Sequence, residues 1–189
     1  MGQTEVPAAD PAANPAAGRS IVLVGLMGAG KTSVGRRLAA RLGRPFFDSD
    51  HEIETAARQD IPSIFATLGE PAFRDGERRV IARLLAGPPA VIATGGGAWM
   101  NAETRAAVAS TAISVWLEAS LGTLYGRVAD KPGRPLLEGQ DVRAVLSRLI
   151  EERYPVYALA DLRVRSAAGA NHETMVDRIL KAIAEKEKT

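Results

Sequence analysis

Residues 20–32 read SIVLVGLMGAGKT. The first five, Ser20–Val24, are an apolar run rich in β-branched side chains, the pattern of a strand buried on both faces. The next eight, Gly25-Leu26-Met27-Gly28-Ala29-Gly30-Lys31-Thr32, fit G-x-x-x-x-G-K-[ST]. Residues 32–42 then carry a helical pattern, with Gly43 placed to stop it. Strand, glycine-rich turn and helix in that order are the context this motif requires. Small residues let successive backbone N–H groups curl around a phosphate, and the helix N-terminus adds partial positive charge. The Lys31 ammonium is expected to reach the β- and γ-phosphates, and the Thr32 hydroxyl to ligate Mg²⁺. Gly28, Ala29, Gly30, Lys31, Thr32 and Ser33 are therefore the candidate nucleotide-binding residues. The turn specifies a nucleoside triphosphate. It leaves the acceptor open.

Outward from this turn the chain alternates. Strands are expected at residues 45–48, 90–94, 112–117 and 162–165. Helices are expected at 50–57, 61–85 with a break near 69–71, 102–109, 120–128, 142–153 and His172–Lys186. Strands alternating with helices predict an α/β fold in three layers, a five-stranded parallel sheet covered on both faces. Residues 129–140 are polar and hold Pro132, Gly133, Pro135 and Gly139, which reads as a mobile lid. Residues 1–18 are rich in Ala and Pro with almost no bulky apolar side chain. They cannot bury enough surface to offset chain entropy and are expected to be a disordered extension. Residues 19–189 then form one domain.

Composition narrows the function. The chain has 189 residues, 46% hydrophobic and 24% charged, an ordinary globular mix for one domain. A net charge of +2 without a long Lys/Arg block gives no reason to expect nucleic acid as a partner. The absence of cysteine excludes disulfides, thiolate metal sites and a cysteine nucleophile, and fits a reducing compartment. No apolar run approaches the roughly 18 residues of a membrane span.

Two further clusters end strands. Asp48 and Asp50 close the second. If the strand continues, residues two apart share a side, roughly 6–7 Å from each other. Ligands of open α/β sheets lie beyond the carboxyl ends of the strands, so both acids can face the site. Asp48 could then hold the Mg²⁺ shell through water, and Asp50 could take substrate hydroxyls and act as base. A strand end capped by solvated acids, with Asp50 as a helix N-cap, fits the pair equally well. Gly95, Gly96 and Gly97 follow the third strand. They allow close backbone approach to a ligand, and they also suit a plain strand-to-helix turn.

Taken together, GLMGAGKT, FFDSD, FATLGEPAFRDGE, ATGGG, GRPLL and ERYPVY, in that order, resemble the shikimate kinase family. The resemblance runs from about residue 21 to the C-terminus. It implies a P-loop kinase of the nucleoside-monophosphate-kinase type that passes the γ-phosphoryl of ATP, with Mg²⁺, to the 3-hydroxyl of shikimate. It also implies the site roles. Lys31, Asp50 and Arg134 are the catalytic set, with Arg134 the lid arginine over the phosphates. Arg127 lies near the adenine, and Thr32 and Asp48 (through water) serve Mg²⁺. Arg74 and Arg153 hold the shikimate carboxylate, and Gly95, Gly96 and Gly97 contact the substrate. Phe65 and Phe73 wall the acid pocket, and Glu77 orients nearby arginines. Two residues depart from the family pattern: Arg58 stands where glycine is common, and Asp75 where a second arginine is frequent. The expected protein is a cytoplasmic monomer with small-molecule substrates and neither nucleic-acid nor membrane partners.

The chemistry is self-consistent. Two arginines can grip one carboxylate, one aspartate can take two hydroxyls, and phosphoryl transfer is mostly positioning and charge neutralisation. Gluconate, another hydroxylated acid, is the nearest alternative acceptor. A nucleotide acceptor would need a base pocket that the sequence does not supply. A regulatory nucleotide-binding module would be favoured by loss of Lys31 or Asp50, and both are present. His51, His172, Trp99 and Trp116 are expected to be surface or packing residues, and Arg163 and Arg165 a solvated strand edge.

Overall fold

The computed structural model describes residue 16 and residues 18–129, 141–166 and 171–188. The expected lid, with Arg134, and nearly all of the expected disordered extension lie outside the described residues. At the border of that extension, Ala16 is buried, and Arg44 donates to its carbonyl at 2.6 Å and to that of Arg19 at 2.6 Å.

Among the described residues, five strands form one parallel sheet: β1 (Ser20–Val24), β2 (Phe46–Asp48), β3 (Val91–Ala93), β4 (Ala112–Ala119) and β5 (Leu162–Ser166), in the order β2-β3-β1-β4-β5. Among the described residues, seven helices connect and cover them: α1 (Lys31–Leu42), α2 (Ser49–Ala57), α3 (Ile61–Leu85), α4 (Ala102–Thr111), α5 (Leu121–Val128), α6 (Val142–Tyr157) and α7 (His172–Lys186). Every residue of β1 is buried. A central parallel strand needs cover on both faces, which is why it reads as a continuous apolar run. Around it α1 packs on α7, α3 on α4 and α5 on α6. Val34, Leu38 and Leu42 of α1 and Met175, Val176, Ile179 and Ile183 of α7 supply buried apolar stripes.

Helix boundaries follow the local chemistry. Asp48, Asp60, Asn101, Ser120, Asp141 and Asn171 cap helix N-termini with side-chain oxygens that accept backbone N–H groups. Gly43 ends α1 in the left-handed conformation, as expected. The expected break in α3 is present at Gly69 (φ 79°, ψ 170°), just ahead of Pro71. Helix α6 runs to Tyr157, past the expected end at residue 153, with Pro155 inside its last turn. A 3₁₀ turn at Ala98–Met100, absent from the sequence reading, follows the glycine run.

Strand order positions the site. β2, β3 and β1 are neighbours, so the segments after their carboxyl ends lie side by side. Those segments hold Asp48 and Asp50, the glycines at residues 95–97, and the phosphate turn.

Candidate active site

One cleft of about 1150 Å³ runs along these strand ends. At one side is the phosphate turn. Gly28 (φ 80°) takes a backbone conformation that costs other residues strain, and a Cβ there would lie 2.6 Å from Val128 Cγ1. Lys31 Nζ donates to the Gly25 carbonyl at 2.7 Å and the Leu26 carbonyl at 3.0 Å, which holds the ammonium over the turn. Gly28, Gly30, Lys31, Thr32 and Ser33 line the cleft, whereas Ala29 is buried beneath it. Arg127 reaches across from α5. Its Nη1 donates to the carbonyls of Gly28 (3.1 Å) and Ala29 (3.4 Å), and its Nη2 to Ser166 Oγ (3.1 Å). The guanidinium thus braces the turn from the β5 side.

The two aspartates both face the cleft, but not by strand alternation. β2 ends at Asp48, and Asp50 sits in the first turn of α2. Asp48 is the N-cap: its Oδ1 accepts from Asp50 N at 3.2 Å. Its Oδ2 accepts from Thr32 Oγ1 at 2.8 Å, tying β2 to the start of α1. Burial raises the pKa of the Asp50 carboxyl from its ordinary value. The Asp48 charge adds to this, and Lys31 opposes it.

The third segment is crowded. Gly95 N donates to Ser49 Oγ at 3.0 Å. A Cβ on Gly95 would lie 2.6 Å from Asp50 Oδ1 and 2.8 Å from Glu77 Oε1. A Cβ on Gly97 would collide with the Arg74 guanidinium, 2.7 Å from Cζ. These positions are glycine because two carboxylates and an arginine lie against the bare backbone. Gly96 is different: its carbonyl accepts from Arg153 Nη1 at 2.8 Å and from the Tyr157 hydroxyl. Trp99 Nε1 donates to the Val156 carbonyl at 3.1 Å, so α6 is bonded to this segment at three points. Burial pushes the Tyr157 hydroxyl up to about 12, so it remains a donor at neutral pH.

Arg74, on α3, is held by two acids. Its Nη1 donates to Glu77 Oε2 at 2.9 Å, and its Nε and Nη2 donate to Glu70 Oε1 at 3.2 and 3.1 Å. Glu77 is buried, and burial raises its pKa against the pull of Arg74. Its Oε1 has no hydrogen-bond partner among the described residues. Phe73 is buried and Phe65 is at the rim, their ring centroids 4.6 Å apart, and Arg74 Cζ lies 5.1 Å from the Phe73 centroid. Both rings line the cleft.

The sequence reading thus placed Lys31, Thr32, Ser33, Asp48, Asp50, Phe65, Phe73, Arg74, residues 95–97, Arg127 and Arg153 near one another, and all of them line this cleft. It did not single out Glu70, Ser49 or Tyr157. Glu70 and Tyr157 lie inside quoted motifs, while Ser49 is an unremarkable residue between two acids. His51 and His172 are exposed, and Trp99 and Trp116 are buried. Arg163 and Arg165 are exposed and both pair with Glu118.

A phosphate-cradling turn and a cluster of acids and arginines, sharing one cleft on a parallel α/β sheet, define a P-loop small-molecule kinase. The comparisons with known proteins agree. The shikimate kinase family model matches residues 27–184. A shikimate kinase from Caulobacter vibrioides is 57% identical over 169 residues, which cover 89% of this chain and 84% of that protein. One from Rhodopseudomonas palustris is 53% identical over 165 residues, covering 87% and 81%. The solved shikimate kinase from Acinetobacter baumannii in complex with shikimate is 37% identical, with a TM-score of 0.85 over 92% of this chain and 97% of that one. The chain belongs to the shikimate kinase family.

Proposed function

We propose that this chain transfers the γ-phosphoryl group of ATP to the 3-hydroxyl of shikimate, in the pathway to chorismate and the aromatic amino acids. The observation that carries the reading is the joint placement of Asp50, Arg74 and Arg153 around residues 95–97, in the cleft that also holds Lys31.

In this reading Arg74 and Arg153 hold the acid's carboxylate from the two sides of the glycine segment. A positioned pair of guanidinium groups supplies strong charge-assisted bonds. Asp50 accepts hydroxyl hydrogen bonds and takes the proton of the attacking hydroxyl. That oxygen forms a bond to the γ-phosphorus as the bond from phosphorus to the bridging oxygen of ADP breaks. The raised pKa of Asp50 makes it a better proton acceptor than an ordinary carboxylate. Lys31 and the backbone N–H groups of the turn neutralise phosphate charge, and Arg127 flanks the nucleotide. Arg134, outside the described residues, is assigned to the phosphates from the lid. Phe65 and Phe73 form the apolar wall that keeps water, a competing acceptor, away.

The hard oxygen donors Thr32 Oγ1 and Asp48 Oδ2, 2.8 Å apart, suit Mg²⁺, which prefers one or two protein oxygens beside phosphate and water. No cluster of three or more His, Cys, Asp or Glu suited to a metal ion occurs among the described residues. Thr32 would ligate the ion directly and Asp48 through water, and the ion would supply charge neutralisation on the nucleotide phosphates. The protein acts as a monomer in the cytoplasm on small-molecule substrates, without nucleic-acid or membrane partners. No helix among the described residues is long and apolar enough to cross a membrane.

The test is ADP release from ATP and Mg²⁺ with and without shikimate, with gluconate as the control acid. Turnover is expected with shikimate alone. Arg74→Ala and Arg153→Ala should each mainly raise KM for the acid. Variants that weakened only ATP binding would refute the carboxylate assignment.

A further inference from the structure

The five N–H donors of Arg74 are unevenly committed. The Nε and Nη2 edge, the fork that suits a carboxylate, is occupied by a single oxygen, Glu70 Oε1, at 3.2 and 3.1 Å. Nη1 is held by Glu77. The two acids differ in what they can do. The Glu77 side chain is 4% exposed and cannot turn away without leaving its charge buried and unpaired. The Glu70 side chain is 62% exposed, lines the cleft, and binds Arg74 alone among the described residues. Its release into water costs little, because an exposed ion pair is weak. Charge points the same way. With both glutamates in place, one guanidinium faces two carboxylates. A third carboxylate arriving at Arg74 would compete with both for its donors, with Arg153 the one further cation the site is read to offer it. The release of Glu70 restores the balance.

We infer that Glu70 is a built-in stand-in for the substrate's carboxylate: it occupies the fork of Arg74 in the free protein and is displaced when the acid binds. The inference rests on the reading that Arg74 binds that carboxylate. Glu70 thus presets the guanidinium, lying against Gly97, in an orientation suited to a carboxylate, and it lowers apparent affinity by competing for the same donors. Its place directly after the break at Gly69 leaves it at the start of the second segment of α3, four residues before Arg74.

The experiment compares the full-length protein with Glu70→Gln, Arg74→Ala and the double variant, reading KM for shikimate, KM for ATP, and shikimate affinity by direct titration without nucleotide. Glu70→Gln is expected to lower KM and dissociation constant for shikimate by roughly two- to five-fold, the scale of an exposed ion pair. KM for ATP should not move. In the Arg74→Ala background the same substitution should have no effect on either shikimate constant. Loss of a merely structural contact would not tighten binding. If Glu70→Gln weakens shikimate binding or leaves it unchanged while Arg74→Ala raises KM, Glu70 is a brace rather than a competitor, and this inference fails while the carboxylate assignment stands. If Arg74→Ala leaves KM for shikimate unchanged, the assignment itself fails and takes the inference with it.

Discussion

Gly95→Ala isolates the crowding at the end of β3. The added methyl would sit 2.6 Å from Asp50 Oδ1 and 2.8 Å from Glu77 Oε1, and Cβ contacts under 3.0 Å essentially do not occur in proteins. Gly95 is not among the glycines with positive φ, so the backbone itself accepts alanine. The damage must come from the side chains that move. Glu77 is tied to Arg74 at 2.9 Å and buried, so most of the yielding falls on Asp50. Displacement of a reacting group by a fraction of an ångström to 1 Å costs up to about 10²-fold in rate. Overpacking should cost about 1 kcal/mol of stability, the lower end for an inserted methyl, or roughly 2–4 °C in Tm. Gly96→Ala is the internal control. Its Cβ would meet nothing closer than Arg153 Nη1 at 3.5 Å, an ordinary contact, so Tm should hold, and any loss would report the acid itself. The assay is ADP release with shikimate varied at saturating ATP, beside thermal melts. Gly95→Ala is expected to lose roughly ten- to a hundred-fold in kcat with near-native ATP binding. A wild-type kcat in Gly95→Ala would refute the claim that Asp50 must stay where this glycine lets it sit.

Three further variants test other parts of the site and fold. Asp50→Asn should abolish most turnover yet melt higher than the parent at neutral pH. A carboxyl whose pKa is raised on folding opposes folding when ionised, and that penalty fades as pH falls through the folded value. A lower Tm at neutral pH would contradict the burial and repulsion assigned to it. For the same reason kcat/KM for shikimate should decline on the acid side at a higher pH than for an unperturbed aspartate, checked by a pH–rate profile. Arg58→Gly should raise Tm by roughly 2–4 °C, because Arg58, at φ 53°, is the one non-glycine described residue with positive φ, and αL costs a side chain about 1 kcal/mol. An unchanged or lower Tm would show that the arginine makes contacts worth the strain. Arg127→Ala should raise KM for ATP by roughly tenfold while shikimate affinity measured without nucleotide is preserved, since among the described residues its bonds reach the phosphate turn and Ser166. Equal losses for both substrates would place Arg127 elsewhere in the mechanism.

Much of this architecture is legible in the sequence because local and global signals agree. β1 is apolar throughout because it is central, and the glycine-rich turn after it has one structural context. Where the reading went astray, tertiary contacts decided. Strand alternation predicts Asp48 and Asp50 on one side of a strand, yet the chain turns helical at Ser49, whose hydroxyl accepts from Gly95 N. β4 extends to Ala119 rather than 117 because Glu118 is held by Arg163 and Arg165 from β5, a pairing 45 and 47 residues away. Helix α6 passes Pro155 because Tyr154 and Tyr157 anchor its last turn on the Ala119 and Gly96 carbonyls. The departure at Arg58 is resolved: the position keeps the left-handed turn that glycine would favour. Asp75 pairs with Arg78 and Arg79 on its own helix. Glu70 carried no separate signal, because only the fold shows which face of Arg74 it covers.

The two tryptophans of the chain, one in the 3₁₀ turn and one in β4, both contact α6. Trp99 is bonded to α6 through the Val156 carbonyl, and Trp116 packs against Tyr154 and Tyr157 of the same helix, with centroids 4.9 and 6.1 Å away. Arg163 Cζ lies 4.9 Å from the Trp116 ring. Indole emission follows the local field and nearby quenchers, so these rings make α6 an optical lever. A shift of the helix that carries Arg153 changes the surroundings of every strong native fluorophore the protein has. If shikimate binding shifts α6 through Arg153, stopped-flow fluorescence of the unlabelled enzyme would time it before any phosphate has moved.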